Sequence, residues 1–214
     1  MKIAILGGTG KEGAGLALRW LKAGHGIVIG SRETARAQAK AEELRAQTGG
    51  DVSGMTNPDA ARAGELVVLS LPYAGLAKTL SEVRDACDGK VVVSAVVPLT
   101  FGGGRLFTPP PIGSAAEEAQ ELLAPGARVV AAFHHIAAHE LASLEHPIEC
   151  DLLLCGDDRA AKEQVIELGT SMGLRAFDVG PLSNAGPLEA ITALLTTINR
   201  RYKLKNSGIK ITGL

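Results

Sequence analysis

Apolar residues along this chain follow two recurring patterns. Short unbroken runs, Lys2–Gly7, Ile27–Gly30, Leu66–Ser70, Val91–Ser94, Arg128–Ala132 and Asp151–Cys155, read as strands buried on both faces. Between them apolar residues recur at three- and four-residue spacing, as helices with one buried face require. Leu16, Trp20 and Ala23 mark the first helix, and Gly24 stands at its expected stop. Glu33 to Gln47 is a polar, alanine-rich helix ending at Gly49-Gly50, and Glu33 reads as a first-turn acid. Val52–Met55 suggests a short strand and Asn57-Pro58-Asp59 a helix start. Pro72 breaks the strand before it, and Ala74 to Cys87 then reads as one helix with Leu76, Leu80 and Val83 on one side. Helices follow at Ser114–Leu123, with Glu117 three residues after a capping serine, and at Arg159–Met172, stopped by Gly173. After a strand at Ala176–Val179, an apolar helix carries Leu188, Ile191, Leu195 and Ile198, a stripe that suits either the core or a dimer face.

Strands alternating with helices imply right-handed crossovers and an α/β fold, a doubly wound parallel sheet. Ligands in such sheets bind beyond the C-terminal ends of the strands. Residues 1–180 are expected to form the nucleotide-binding domain and 181–214 a helical segment that contributes to ligand binding or dimer contact. Thr100–Gly113 departs from the pattern, with three glycines (102–104) and three prolines (109–111), and reads as a surface loop or lid beside the site.

Charge narrows the partners. A net charge of -1 over 214 residues offers no electrostatic case for nucleic acid or a membrane surface. No apolar run approaches a membrane span, and the N-terminal run is too short for a signal peptide. Three cysteines fit a reducing cytoplasm. Cys150 and Cys155 lie five apart across a strand, so they point to opposite faces and read as small core residues.

The first strand runs into Gly8-Thr9-Gly10-Lys11-Glu12-Gly13, a G-x-G-x-x-G turn that opens a helix. Gly8 would permit the tight turn, Gly10 the approach of a pyrophosphate, and Gly13 close packing of helix on strand. Lodged between strand and helix, with a second strand at the right distance, this is the Rossmann-type dinucleotide signature. The second strand ends in Ser31-Arg32, with Arg36 a turn later, where NAD-binding proteins place a carboxylate. A guanidinium and a hydroxyl suit a 2′-phosphate, hence NADP(H); surface arginines on a solvated helix start are the alternative. Leu71-Pro72-Tyr73 and Ala95–Pro98 are candidate walls of the nicotinamide end, although plain strand-to-helix turns use the same residues.

The strand at Arg128–Ala132 delivers Phe133-His134-His135-Ile136-Ala137-Ala138-His139. His134 is placed to contact substrate, with a structural role as the alternative; His135 and His139 would share a face, and a metal between them, if the segment were helical. No nucleophile–base–orienter set is apparent, which suits hydride transfer, where the cofactor carries the chemistry. Beyond Glu189 no acid remains, while Arg200, Arg201, Lys203, Lys205 and Lys210 crowd the terminus as a solvated tail or a surface for a second, anionic ligand.

These residues resemble the NADPH:coenzyme F420 oxidoreductase family nearly end to end. The likeness rests on the opening Ile-Leu-Gly-Gly-Thr-Gly, Gly30-Ser31-Arg32, Pro72, Val97-Pro98, the histidine after the sixth strand, Cys155-Gly156-Asp157-Asp158, Gly180–Asn184 and Gly208-Ile209-Lys210. The resemblance implies reversible, direct hydride transfer between NADP(H) and the deazaflavin coenzyme F420, in a cytoplasmic homodimer. It implies that Thr9, Lys11, Glu12, Ser31, Arg32 and Arg36 hold NADP. It implies further that Tyr73, Val97 and Ala138 flank the nicotinamide, that His134 and Ile136 lie at the ring contact, and that Thr192 lies near the deazaflavin. Family members can carry Arg at Gly186 and Ser at Ala190. Those departures leave room for a flavin or other acceptor, and for a non-catalytic NADP sensor.

Overall fold

In the computed structural model, which describes residues 1–102 and 105–213, the alternating pattern resolves into one eight-stranded sheet ordered β3-β2-β1-β4-β5-β6-β7-β8. The strands are β1 (Lys2–Leu6), β2 (Gly26–Ser31), β3 (Val52–Thr56), β4 (Leu66–Leu69), β5 (Val91–Ser94), β6 (Arg128–Ala131), β7 (Leu152–Gly156) and β8 (Ala176–Asp178). The helices are α1 (Lys11–Lys22), α2 (Thr34–Thr48), α3 (Asn57–Ala63), α4 (Leu76–Val83), α5 (Ala115–Leu122), α6 (Ala138–Ala142), α7 (Arg159–Ser171) and α8 (Ala185–Tyr202). Apolar runs without alternation reflect burial on both sides. Ile3 and Ile5 pack into one layer with Leu16, Trp20 and Phe133, while Ala4 and Leu6 enter the other with Leu76, Leu80 and Leu188. The strand order reverses between β1 and β4, which opens a crevice at their C-terminal ends.

Three expectations change, while the helix start at Asn57-Pro58-Asp59 is met. β7 pairs antiparallel with β6, so the sheet is mostly rather than wholly parallel. The connection between them holds the short α6 and returns the chain to the end of β6, with Ala131 set against Cys155 and Val130 against Gly156. The helix expected over residues 74–87 divides into a 3-10 turn (Tyr73–Gly75), α4, and a second turn (Asp85–Cys87) that tucks Cys87 into the core. The start of α3 is capped by Thr56, whose Oγ1 accepts from Asp59 N at 3.3 Å. Glu33 occupies the capping position of α2 without a side-chain cap bond, rather than its first turn.

The cysteines fall as expected: Cys150 and Cys155 enter opposite layers, and burial pushes their thiols up to about 11 and about 12. The stripe on α8 splits. Leu188 and Leu195 are buried, Ile191 is half-buried, and Ile198 joins Leu194 and Tyr202 on an exposed apolar face.

Candidate active site

The β1–α1 turn needs its glycines for measurable reasons. The left-handed turn falls on Gly7, with φ of 76°, rather than on Gly8. A Cβ on Gly7 would stand 2.3 Å from Ser70 O, against the neighbouring strand's exit. Gly8 must stay bare because a Cβ would reach within 2.8 Å of Ile5 O, and Gly13 because it would meet Gly8 Cα at 2.9 Å. Nothing in the sequence separates the roles of Gly7 and Gly8; the register of β1 against β4 does. Gly10 brings no side-chain cap to α1, so first-turn N–H groups are left for an anion. Thr9 is half-buried in the turn, and Lys11 and Glu12 follow at its mouth.

At the end of β2, Ser31 is buried and its Oγ accepts from Glu33 N at 3.3 Å. Ser31 and Arg32 line a cavity of about 200 Å³ with Thr56, Asn57, Lys78 and Glu82. Arg36 is exposed on α2 and does not line it. Asn57 Oδ1 is buried there without a hydrogen-bond partner among the described residues. Lys78 and Asn57 escaped the sequence reading because only the strand order sets α3 and α4 opposite Arg32.

Beyond β4 and β5, Leu71, Tyr73, Val97 and Leu99 wall a cavity of about 430 Å³ whose other sides are Gly10, Lys11, Glu12, His134 and Thr192. Tyr73 donates its phenol to Glu118 Oε2 at 2.7 Å. Burial first, then that carboxylate, push the phenol up to about 12. The loop expected to flank the site does so: Phe101 is exposed at the cavity mouth, and Leu99 bridges Phe107 across it. Gly103 and Gly104 lie outside the described residues.

A bend after β6 sets the remaining wall. Phe133 takes φ of 67°, a left-handed backbone that a bulky residue rarely adopts, with its buried ring edge-on to Trp20 at 5.4 Å. His134 follows, buried, with both ring nitrogens lacking hydrogen-bond partners among the described residues. Burial, then the neighbouring His135, push its imidazole down to about 3. Carbonyls of Ala132, Leu188 and Ser94 lie nearby and oppose that shift, but none meets hydrogen-bond geometry. His135 is structural: its Nε2 contacts Asp151 O at 3.0 Å and Leu153 N at 3.2 Å. The segment is not helical until α6, so His135 and His139 do not share a face; His139 is exposed.

Ile136 is buried, Ala138 is half-buried, and both line a third cavity of about 330 Å³ with His134, Thr192 and Glu12. Thr192 Oγ1 donates to His134 O at 3.0 Å. Glu12, Leu99, His134 and Thr192 line both this cavity and the one beside β4, so the two adjoin. Of the basic terminus, Lys205 reaches this wall, while Arg200, Arg201, Lys203 and Lys210 are exposed elsewhere. Glu189, expected only as the last acid of the chain, is fully buried; its carboxylate accepts from Ala115 N and Ala116 N at 3.0 and 3.1 Å and ties α8 to the start of α5.

Comparison with known proteins places this geometry. The family model described as NADP oxidoreductase, coenzyme F420-dependent, matches residues 2–98. The F420-dependent NADP reductase of Methanocaldococcus jannaschii is 45% identical over all of this chain and 99% of its own length. That of Methanothermobacter thermautotrophicus is 42% identical over 100% of this chain and 96% of its own. The crystal structure of an Arthrobacter protein described as a candidate F420-dependent NADP reductase superposes with a TM-score of 0.86, at 25% identity, covering 100% of both chains. With the nucleotide turn, the strand order and full-length similarity in agreement, the chain belongs to the F420-dependent NADP reductase family.

Proposed function

We propose that the protein catalyses reversible, direct hydride transfer between NADP(H) and coenzyme F420. One observation carries the reading: a single trough, beyond the ends of β1, β4, β5 and β6, joins the glycine turn to His134 and Thr192. Arg32 and Ser31 hold the 2′-phosphate in the cavity at the end of β2, with Arg36 adding charge from outside it. The uncapped start of α1, with Gly8 and Gly10 and their neighbours Thr9 and Lys11, receives the pyrophosphate. Leu71, Tyr73, Val97 and Ala138 position the nicotinamide, and Ile136, His134 and Thr192 face the acceptor ring. When bound, the two coenzymes supply the hydride donor and acceptor. The protein's part is to align them and, with apolar Leu71, Val97, Leu99 and Ile136, to exclude water.

Residues 181–214 complete the acceptor side through Thr192 and Lys205. The exposed face of Leu194, Ile198 and Tyr202, with Leu194 64% and Tyr202 66% exposed, forms the homodimer contact. Three buried free thiols suit a reducing cytoplasm, and no described helix is long and apolar enough to cross a membrane.

A second reading, a flavin as acceptor, draws on Gly186, where a Cβ would stand 3.0 Å from Gly113 O and a larger side chain would collide. NADPH and F420 mixed with the purified protein should lose the visible absorbance of F420. Unchanged absorbance with either nucleotide would overturn the proposal; turnover of FMN alone would favour the flavin, and tight NADPH binding without reduction a sensor.

A further inference from the structure

Two ionisable side chains stand in the wall shared by the adjoining cavities, and the fold makes use of neither. Glu12 Oε1 has no exposed surface and no hydrogen-bond partner among the described residues, although the residue as a whole is half-buried. The ring nitrogens of His134 are in the same condition. Leaving a buried polar group unpaired is destabilising. Nothing in the packing repays that at Glu12. Position 12 follows the capping glycine by two residues, so its side chain leaves α1 toward the trough, where Leu99 and Thr192 complete the wall.

The charged and titratable groups around Glu12 come from five elements. His134 and His135 follow β6, Tyr73 follows β4, Lys205 follows α8, and Lys11 shares its own helix. The fifth element, α6, adds His139, which lines the same cavity and is exposed. Burial pushes the Glu12 carboxyl up to about 8, so at neutral pH it keeps its proton. Burial pushes His134 the other way, so the imidazole is neutral and has no surplus proton to give. The usual roles of an acid and a histidine are therefore exchanged.

We propose that Glu12 is a catalytic residue of the hydride-transfer site: its carboxylic acid O–H hydrogen-bonds the acceptor ring and supplies the proton that accompanies the hydride. This inference rests on the hydride-transfer reading above. C4 of the dihydronicotinamide loses hydrogen with its electron pair and becomes a pyridinium. The acceptor ring takes that hydride at carbon, and the pair displaced onto its conjugated nitrogen takes the proton from the Glu12 O–H. The carboxylate left behind lies in the first turn of α1, where the helix dipole favours negative charge, and regains a proton from water. In the reverse direction the same carboxylate accepts the proton. His134 remains a neutral hydrogen-bond partner.

The test compares full-length wild type with Glu12→Gln, which keeps shape and hydrogen bonding but removes the acid. NADPH-driven reduction of F420 should slow about a hundredfold or more in kcat, with KM for NADPH and thermal midpoint little changed. Wild-type kcat should fall as pH rises through about 8 and show a solvent isotope effect; Glu12→Gln should lose both features. Glu12→Asp, which restores an acid, should recover part of the rate and the alkaline limb. Infrared spectroscopy without either substrate should show a protonated-carboxyl band in wild type that disappears above pH 8 and is absent from Glu12→Gln.

An unchanged kcat and pH profile in Glu12→Gln would overturn the proposal and leave the hydride-transfer reading standing. A raised KM with unchanged kcat would also overturn it, since Glu12 would then be a binding contact. So would an alkaline limb that vanished in His134→Gln but survived in Glu12→Gln. If wild type itself fails to reduce F420, both readings fall together, and the infrared band still reports the state of the carboxyl.

Discussion

The hydroxyl of Thr192 donates to the backbone carbonyl of His134 over 3.0 Å, and that bond joins the last helix to the exit of β6. It fixes the histidine's backbone from a segment far away in sequence. Thr192→Val keeps the shape and removes the donor. We expect a several-fold fall in kcat with about 1 kcal/mol lost from stability, read by steady-state kinetics and chemical denaturation. A variant with wild-type kcat would reduce Thr192 to a helix-packing residue.

Arg32 is exposed at the lip of the cavity that Ser31 lines, whereas Arg36 stands outside it. A charge-assisted bond to a phosphate is worth roughly 1.5–3 kcal/mol. Arg32→Ala should therefore raise KM for NADPH about ten- to a hundredfold while leaving KM for NADH nearly unchanged. Arg36→Ala should have a smaller effect of the same kind. Equal losses for both nucleotides would remove Arg32 from the 2′-phosphate site.

Phe133 is buried against Trp20 yet holds a left-handed backbone at φ 67°. Phe133→Ala should cost about 3–5 kcal/mol through the cavity it leaves. Phe133→Gly leaves the same cavity but relieves the backbone by about 1 kcal/mol, so it should be the less damaged of the two in urea denaturation. Alanine equal to or better than glycine would show that the bend carries no strain.

His134 makes stability depend on pH in a definite direction. Its folded pKa, about 3, lies below the ordinary 6.5, so between those values the unfolded chain binds more protons and stability rises with pH. Burial lowers His135 too, adding to the slope. His134→Gln should flatten the fall in Tm on acidification and lower kcat, with the circular dichroism spectrum retained. A Tm that dropped as steeply as in wild type would assign the acid sensitivity elsewhere.

Glu189 acts with the opposite sign. Burial raises its carboxyl from 4.5 to about 7 despite the two N–H groups it accepts from. The folded state then binds more protons between those values, so this contribution is fully present below 4.5 and is lost as pH rises through about 7. Glu189→Gln should lower Tm at pH 5 and flatten its decline toward pH 8. An unaltered slope would mean that the α5–α8 tie is indifferent to charge.

Which of these groups could be seen coming differs sharply from one to the next. Unbroken apolar runs such as Ile3–Leu6 and Val91–Val93 announce strands covered on both sides, because no polar position alternates with the apolar ones. Gly8–Gly13 between strand and helix announces the nucleotide turn, since only glycine tolerates such approach. That Ser31 and Arg32 would stand at a cavity beyond the second strand was legible because ligands in such sheets bind past the strand ends.

Local sequence alone determined the strands, the glycine turn and the choice of basic residues at the end of β2, since each depends on periodicity or on contacts within a few residues. Tertiary structure decided the rest. The antiparallel pairing of β7 with β6 is set by contacts between segments twenty residues apart, and Gly7 must stay bare because Ser70 at the exit of β4 lies against it. Glu12, His134 and Thr192 are separated by most of the chain, and only the strand order brings them to one wall. Burial there sets which of them holds a proton, and burial belongs to the assembled fold rather than to any residue's name.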